Sequence, residues 1–159
     1  MQVPVRELEN YRGRRVCFTD VALSGADGER RLDGIRGRSF DMTVEIMGEN
    51  YDSFTLWLAA DEIRKTALRY ERKDGIFTID RKLGGMPKDK VSKRSMYVGH
   101  REGKIKIRVL MDKFSAEVFV DDGLYVMSAL IYTPLEADEI LFSCEGELAF
   151  SVEKYAMPE

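Results

Sequence analysis

A strict two-residue alternation in the second half of the chain most constrains how it can fold. Residues 104–123 carry the sequence KIKIRVLMDKFSAEVFVDDG, in which charged and apolar residues alternate up to residue 109. This period is typical of a strand with one buried face, and it resumes at residues 116–120 after a break at 112–115. The Asp121-Asp122-Gly123 triplet tolerates positive φ and predicts a tight turn into a third strand over residues 124–132. The segment therefore predicts an antiparallel β-meander.

Similar short apolar alternations recur along most of the chain, about ten in all, with turn residues between them. Segments 16–23, 40–46, 54–60, 67–71, 76–81 and 96–98 are expected to be strands, and 24–38 a loop. Residues 140–144 and 148–152 are expected to pair with each other as a hairpin around Gly146. Only Pro4–Tyr11 shows helical spacing. The prediction is an all-β, antiparallel sandwich of two sheets, lectin-like in architecture, over residues 15–159, preceded by a linker or short helix over 1–14.

The composition of the chain argues against several kinds of partner and site. The chain has 159 residues, 44% of them hydrophobic and 33% charged, which fits one folded domain. Its net charge of −3 argues against nucleic acid or an anionic membrane as a partner. No apolar run is long enough to span a bilayer, and residues 1–15 lack the apolar core of a signal peptide. Cys17 and Cys144 lack metal-ligand spacing and are expected to be buried free thiols.

Three segments resemble a known enzyme family. VLMDKFSAEVFVDDG is similar to the "VDxSSxEVFxNDG" signature of the C-terminal β-sandwich of glycoside hydrolase family 32, although Phe114 and Asp121 depart from it. Phe77–Arg81 followed by Gly84-Gly85 is similar to the family's "LDRxxSG" strand, and Gln2–Leu8 to the linker that leaves its catalytic propeller. The signature positions that match are Asp112, Ser115, Glu117, Val118, Phe119 and Gly123.

The resemblance implies an accessory domain of a β-fructosidase, an invertase, levanase or sucrose-6-phosphate hydrolase. Such a domain packs against the propeller, stabilises it and in some members takes part in homodimers. The family's catalytic motifs, of the form "NDPNG", "RDP" and "EC", do not occur here. The resemblance therefore implies no catalytic residue and no cofactor in this chain. A parent of the sucrose-6-phosphate hydrolase type would be cytoplasmic.

The carboxylates of the matched segments are expected to be structural. Asp112 and Glu117 flank a bend, where a carboxylate readily accepts hydrogen bonds from backbone N–H groups. Asp80 and Arg81 are expected to form an ion pair or a hydrogen-bonded strand end. His100 is the sole histidine, so no Ser-His-Asp triad or multi-histidine metal site can form.

A second hypothesis is a lectin-like module that binds fructan or another glycan. Sugar sites use exposed aromatic rings, and Trp57 lies off the face that carries the apolar residues of its strand. Packing in the core or at an interface is the commoner role of such a ring, because large aromatic side chains usually bury most of their area. The candidate aromatic contacts are Trp57, Tyr51, Tyr70 and Tyr125. A basic stretch over residues 81–108 and an acidic one over 134–159 are either solvated faces that pair with neighbours, or a surface for an anionic ligand or dimer contact.

Overall fold

The computed structural model describes residues 10–85, 92–99 and 103–158. The strands are β1 (Arg15–Ser24), β2 (Ser39–Met47), β3 (Tyr51–Ala60), β4 (Thr66–Glu71), β5 (Ile76–Asp80), β6 (Lys93–Tyr97), β7 (Lys104–Asp112), β8 (Ser115–Val120), β9 (Tyr125–Leu130) and β10 (Glu139–Ala156). A short 3-10 helix over Gly25–Asp27 lies in the loop between β1 and β2. In the part of the chain that is described, no helix is long and apolar enough to cross a membrane.

All strand pairs are antiparallel, and one long strand belongs to both halves of the fold. The N-terminal half of β10 pairs with β3, and β4, β5 and β6 follow in order. Its C-terminal half lies between β1 and β2, and β7, β8 and β9 continue from β2. We call these two halves sheet B and sheet A. The sheet curls over a single core, so the predicted antiparallel β-sandwich is confirmed.

Side chains of the two halves meet in that core. The apolar positions of β2 and β7 alternate as the sequence predicts, and each is buried: Phe40, Met42, Val44, Ile46, Ile105, Ile107, Val109 and Met111. Phe54 of sheet B lies 6.3 Å, centroid to centroid, from Phe150 of sheet A, and Phe142 stacks on Phe150 at 4.6 Å. Rings packed at this spacing contribute about 1 kcal/mol beyond their buried area.

The meander of β7, β8 and β9 follows the predicted register. Asp112 pairs with Ser115 across the first turn and Val120 with Tyr125 across the second. Asp121, Asp122 and Gly123 all adopt positive φ, at 52°, 59° and 87°. Since only small or Asx-type residues take this conformation at low cost, the second turn is fixed locally by its sequence.

The expected hairpin around Gly146 is wrong. Residues 139–156 form one continuous strand, and Gly146 marks a bulge rather than a turn. A Cβ at this position would lie 2.4 Å from the carbonyl oxygen of Asn50 and 2.6 Å from the Cα of Tyr51. The glycine therefore permits the close approach through which β10 passes from sheet B to sheet A, a common use of glycine inside strands.

Two further expectations concern the N-terminal segment and the cysteines. The helix over Pro4–Tyr11 lies outside the described residues except for Asn10 and Tyr11, which form a 3-10 turn. Both cysteines are free, but Cys17 is exposed, so the expectation that both are buried is wrong. Cys17 pairs with Glu153 and faces outward on an edge strand, whereas Cys144 lies in the core.

Candidate functional site

The turn between β7 and β8 is held by a buried arginine from the loop before β2. Arg38 is 4% exposed, and its Nε donates to the carbonyl oxygen of Lys113 at 2.8 Å. Its terminal nitrogens donate to the carbonyl oxygens of Thr133, Pro134 and Ala137 at 2.6–3.1 Å. Burial lowers the pKa of Arg38, against the opposing influence of Asp138 and Glu136. One guanidinium thus organises the turn and the segment that follows β9.

Exposed apolar side chains gather around this turn. Phe114 is 48% exposed and lies 5.5 Å from the Arg38 guanidinium. Leu130 and Tyr132 are 58% and 37% exposed, and the intervening Ile131 N–H donates to the Phe114 carbonyl at 2.7 Å. Ser115 and Glu117 line a shallow depression with Leu130 and Tyr132, and a second one with Tyr11. We call Tyr11, Phe114, Ser115, Glu117, Leu130 and Tyr132 the turn surface.

The family-like residues Asp80 and Arg81 lie at the edge of this surface. Asp80 accepts a hydrogen bond from the Lys82 N–H at 2.9 Å, at the end of β5. Arg81 reaches across to sheet A, where Nη1 donates to the Leu130 carbonyl at 2.8 Å and the guanidinium lies over the Tyr132 ring. Arg81 therefore ties the two halves of the sandwich together beside the turn surface, while Asp80 caps the end of β5.

The outer face of sheet A carries a polar groove, with a volume of about 440 Å³, that crosses β1, β10, β2, β7 and β8. Its lining residues include Arg12, Arg15, Thr43, Glu45, Lys106, Arg108, Phe119, Asp122, Gly123, Ser151 and Glu153. Two of the family-like residues, Phe119 and Gly123, are among them. We call this the sheet A groove.

A buried carboxylate lies beneath one side of the sheet A groove. Asp41 is 1% exposed and accepts from Nε and Nη2 of Arg108 at 2.9 and 2.7 Å. Arg12 donates to the same carboxylate at 2.8 Å and stacks on the ring of Tyr155. Burial alone would raise the pKa of Asp41, but the hydrogen bonds and charges of Arg108 and Arg12 outweigh it and hold the pKa below its usual range.

The four candidate aromatic rings are placed very differently. Tyr70 is fully buried and donates its hydroxyl to the Gly99 carbonyl at 3.1 Å. Tyr51 is also buried, and burial raises its pKa to about 12. Neither ring presents a face to solvent. Trp57 is half-buried, donates from Nε1 to Ser143 at 3.0 Å and lies under the Lys65 ammonium, and Tyr125 packs against the core.

The remaining candidate residues are Asp112, Glu117 and His100. Asp112 and Glu117 both lie on the outer face of sheet A, on β7 and β8. Within residues 10–85, 92–99 and 103–158, no group of three or more His, Cys, Asp or Glu side chains is placed to hold a metal ion. His100 lies outside the described residues.

The acidic C-terminal stretch pairs with arginines from the first half of the chain. Asp138 and Glu139 contact Arg36 and Arg31, and Glu153 contacts Arg15. Glu145 contacts Arg69. These exposed pairs join segments on adjacent strands and loops, which agrees with the interpretation of the stretch as a solvated face paired with its neighbours.

Sequence reasoning did not find Arg38 or Asp41. The run Gly-Ile-Arg-Gly-Arg-Ser over residues 34–39 resembles an ordinary loop, and Asp41 occupies an outward position of β2. The partners of Asp41 lie 29 and 67 residues away in the sequence. The only local signal is a carboxylate, flanked by apolar residues, on the outward face of a central strand.

Similar sequences occur in known proteins that are longer than this chain. A levanase of Bacillus subtilis is 27% identical over 137 residues, 82% of this chain and 20% of that protein. A sucrose-6-phosphate hydrolase of Staphylococcus xylosus is 27% identical over 158 residues, 97% of this chain and 31% of that protein. The chain thus spans less than a third of the length of these relatives.

Solved structures show the same architecture at low identity. Fructan 1-exohydrolase IIa of Cichorium intybus superposes with a TM-score of 0.82 at 14% identity, over 99% of this chain and 38% of that one. The sucrose-6-phosphate hydrolase of Lactobacillus gasseri gives 0.78 at 17% identity, over 98% and 30%. The family model described as "Glycosyl hydrolases family 32 C terminal" matches residues 7–156, and the chain therefore belongs to this family of C-terminal domains.

Proposed function

We propose that this chain is the accessory domain of a β-fructoside hydrolase and packs, through the turn surface, against the catalytic domain of the same parent protein. The substrate of the parent protein would be sucrose, sucrose phosphate or a fructan, the classes to which the names of its relatives point. The catalytic carboxylates would come from that other domain, since glycoside hydrolysis needs a pair of them at the scissile bond. The match to the C-terminal part of longer hydrolases supports this proposal.

The observation that carries the docking proposal is the concentration of exposed apolar side chains at one end of sheet A. Phe114, Leu130 and Tyr132 are adjacent, and each leaves more than a third of its surface in water. Exposed apolar patches of this kind mark contact sites. Tyr11, near the start of the described N-terminal segment, lines the depression next to Ser115 and Glu117. The described chain therefore begins beside this surface, which supports it as the place where an upstream domain would dock.

Arg38 explains why such a surface stays in place without its partner. It fixes the Lys113 carbonyl on one side and those of Thr133 and Pro134 on the other. The loops that present Phe114 and Tyr132 are thus held before any partner arrives, and a surface fixed in advance loses less entropy on binding.

The test is a domain exchange. This chain replaces the corresponding C-terminal part of the Staphylococcus xylosus sucrose-6-phosphate hydrolase, to which it aligns over 97% of its length. We expect the chimera to be soluble and active and the chain alone to hydrolyse no fructoside. Phe114→Ser with Leu130→Ser should lower the thermal stability of the chimera's activity while the isolated variant domain stays folded.

A matched control uses exposed apolar residues at the opposite end of the sandwich. Tyr97 and Leu124 are 67% and 56% exposed, and Leu124 follows the turn at the other end of β8. Tyr97→Ser with Leu124→Ser should leave the chimera unchanged. Hydrolysis of sucrose or levan by the chain alone would overturn the accessory role. Equal effects of the two double variants would overturn the docking surface.

A further inference from the structure

The sheet A groove is built from charges that neutralise one another. Its four cationic lining residues are Arg12, Arg15, Lys106 and Arg108. Arg12 and Arg108 share buried Asp41, Lys106 contacts Asp122 at 2.8 Å and Arg15 contacts Glu153 at 2.7 Å. Glu45, also in the lining, contacts Lys104 at 2.9 Å. The groove therefore offers many donors and acceptors without the excess positive charge that selects an anion.

The donors are fixed in direction before any ligand arrives. Arg108 uses Nε and Nη2 on Asp41, and its Nη1 makes no hydrogen bond within the described part of the chain. Because a guanidinium is planar, a carboxylate that binds one edge also fixes the direction of the N–H groups on the other edge. Thr43 and Ser151 add hydroxyl groups on the neighbouring strands β2 and β10.

A bulge in β1 shapes the rim of the groove. The register between β1 and β10 shifts between Phe18 and Val21, and Asp20 adopts a positive φ of 52°. The Asp20 N–H donates to the Ser151 hydroxyl at 3.0 Å instead of to a ladder carbonyl. Bulges are frequent beside binding sites because they bend an edge strand and redirect its side chains. Here the bulge places Thr19 in the lining.

We propose that the sheet A groove binds an oligosaccharide. Vicinal sugar hydroxyls both donate and accept hydrogen bonds, so they can bind carboxylates and guanidiniums at the same time. A purely anionic ligand could accept hydrogen bonds from the guanidiniums only. The volume of about 440 Å³ lies in the usual range for small-ligand sites. This site is distinct from the turn surface and from Trp57, Tyr51, Tyr70 and Tyr125.

Calorimetric titration of the chain tests the proposal with three kinds of probe: levan- and inulin-type fructo-oligosaccharides, a malto-oligosaccharide and inorganic phosphate. We expect saturable binding of at least one oligosaccharide and none of phosphate. Thr43→Tyr would fill the groove from the middle of β2 and should weaken binding by about tenfold or more. Ser128→Tyr, on the exposed outer face of β9, is the matched control and should bind like the unmodified chain.

Cys17 gives an independent readout because it lines the groove and is exposed, while Cys144 is buried. A bound oligosaccharide should slow the reaction of Cys17 with a thiol reagent, and phosphate should not. Absence of both heat and protection with every sugar would overturn the proposal. So would binding of phosphate alone, or oligosaccharide binding that Thr43→Tyr leaves intact in a variant with unchanged circular dichroism.

Discussion

Arg38 and Lys113 hold each other by two hydrogen bonds that run in opposite directions. The Lys113 N–H donates to the Arg38 carbonyl at 2.6 Å, and the Arg38 Nε donates to the Lys113 carbonyl at 2.8 Å. The Nη1 and Nη2 atoms of Arg38 donate hydrogen bonds to carbonyl oxygens of residues 133–137. A buried cation with no carboxylate among its hydrogen-bond acceptors persists only when its donors are satisfied in this way.

Removing the Arg38 head group should therefore be costly. Arg38→Met keeps the aliphatic stem but leaves several buried carbonyls without donors, which should lower the free energy of unfolding by about 3 kcal/mol. Urea titration followed by tryptophan fluorescence measures the change. Arg31→Met is the control, because Arg31 forms an exposed pair with Glu139 and should cost less than about 1 kcal/mol. Equal losses in both variants would show that the Arg38 hydrogen bonds contribute little.

The Asp41 carboxylate should give the domain an acid-sensitive component of stability. Its pKa is lowered in the fold, so its contribution is present above the unfolded pKa of about 4 and is lost as pH falls through the folded pKa. Asp41→Asn should be less stable at neutral pH by about 3 kcal/mol, because Arg108 and Arg12 lose a buried partner. The difference from the unmodified chain should shrink as the pH approaches about 3.

Urea midpoints across that pH range measure the effect. Glu153→Gln, which removes the exposed partner of Arg15, should change stability little at any pH in comparison. A constant gap between Asp41→Asn and the unmodified chain at all pH values would contradict the assignment of the acid sensitivity to Asp41.

Most strands could be predicted because their pattern is local. In β2 and β7 every second residue is apolar, and a one-residue slip would expose the whole set, so sequence alone fixes which face is buried. The turn at Asp121–Gly123 is equally local. The strand β10 was not predictable in this way, because Cys-Glu-Gly-Glu resembles a turn. The deciding contact lies with Asn50 and Tyr51, almost a hundred residues earlier in the chain.

The two candidate surfaces were less predictable than the fold. Phe114 and Leu130 are apolar residues next to strands, and such residues are usually buried, so their exposure emerges only from the packing of β8 against β9. The sheet A groove is lined by residues from five strands. Its carboxylates and guanidiniums are far apart in the sequence, so no local sequence pattern predicts that they pair. Sequence motifs did place Phe119 and Gly123 in a shared segment, although without indicating the groove that they line.

Tyr51 should make the stability of the domain decline at alkaline pH. Burial, with a smaller influence from Tyr70, raises its pKa to about 12, while Arg72 acts in the opposite direction. A raised folded pKa means that the contribution is complete below the unfolded pKa of about 10 and is lost as pH rises toward the folded value. Tyr51→Phe should therefore weaken the alkaline decline in stability, whereas Tyr97→Phe, on an exposed ring, should not. Identical alkaline profiles for the two variants would refute this.

Gly146, a glycine with positive φ inside β10, should be very hard to replace. Its φ is 103°, and an added Cβ would meet backbone atoms of Asn50 and Tyr51 rather than a movable side chain. Gly146→Ala must therefore displace β3 from β10 and should lower the free energy of unfolding by about 3 kcal/mol or prevent folding. Gly28→Ala separates the steric effect from the cost of the backbone conformation, because Gly28 also has positive φ, 65°, but has open space around its Cβ position.

That control carries the backbone cost alone, about 1–3 kcal/mol for alanine at φ 65° and ψ −141°, and should lose less than Gly146→Ala. Thermal and urea unfolding of both variants give the comparison. Where Gly146→Ala does not accumulate as folded protein, Gly146→Ala in the chimera with the Staphylococcus xylosus enzyme provides the second readout, as loss of soluble activity. A Gly146→Ala variant as stable as Gly28→Ala would mean that β10 does not depend on this close approach to pass from sheet B to sheet A.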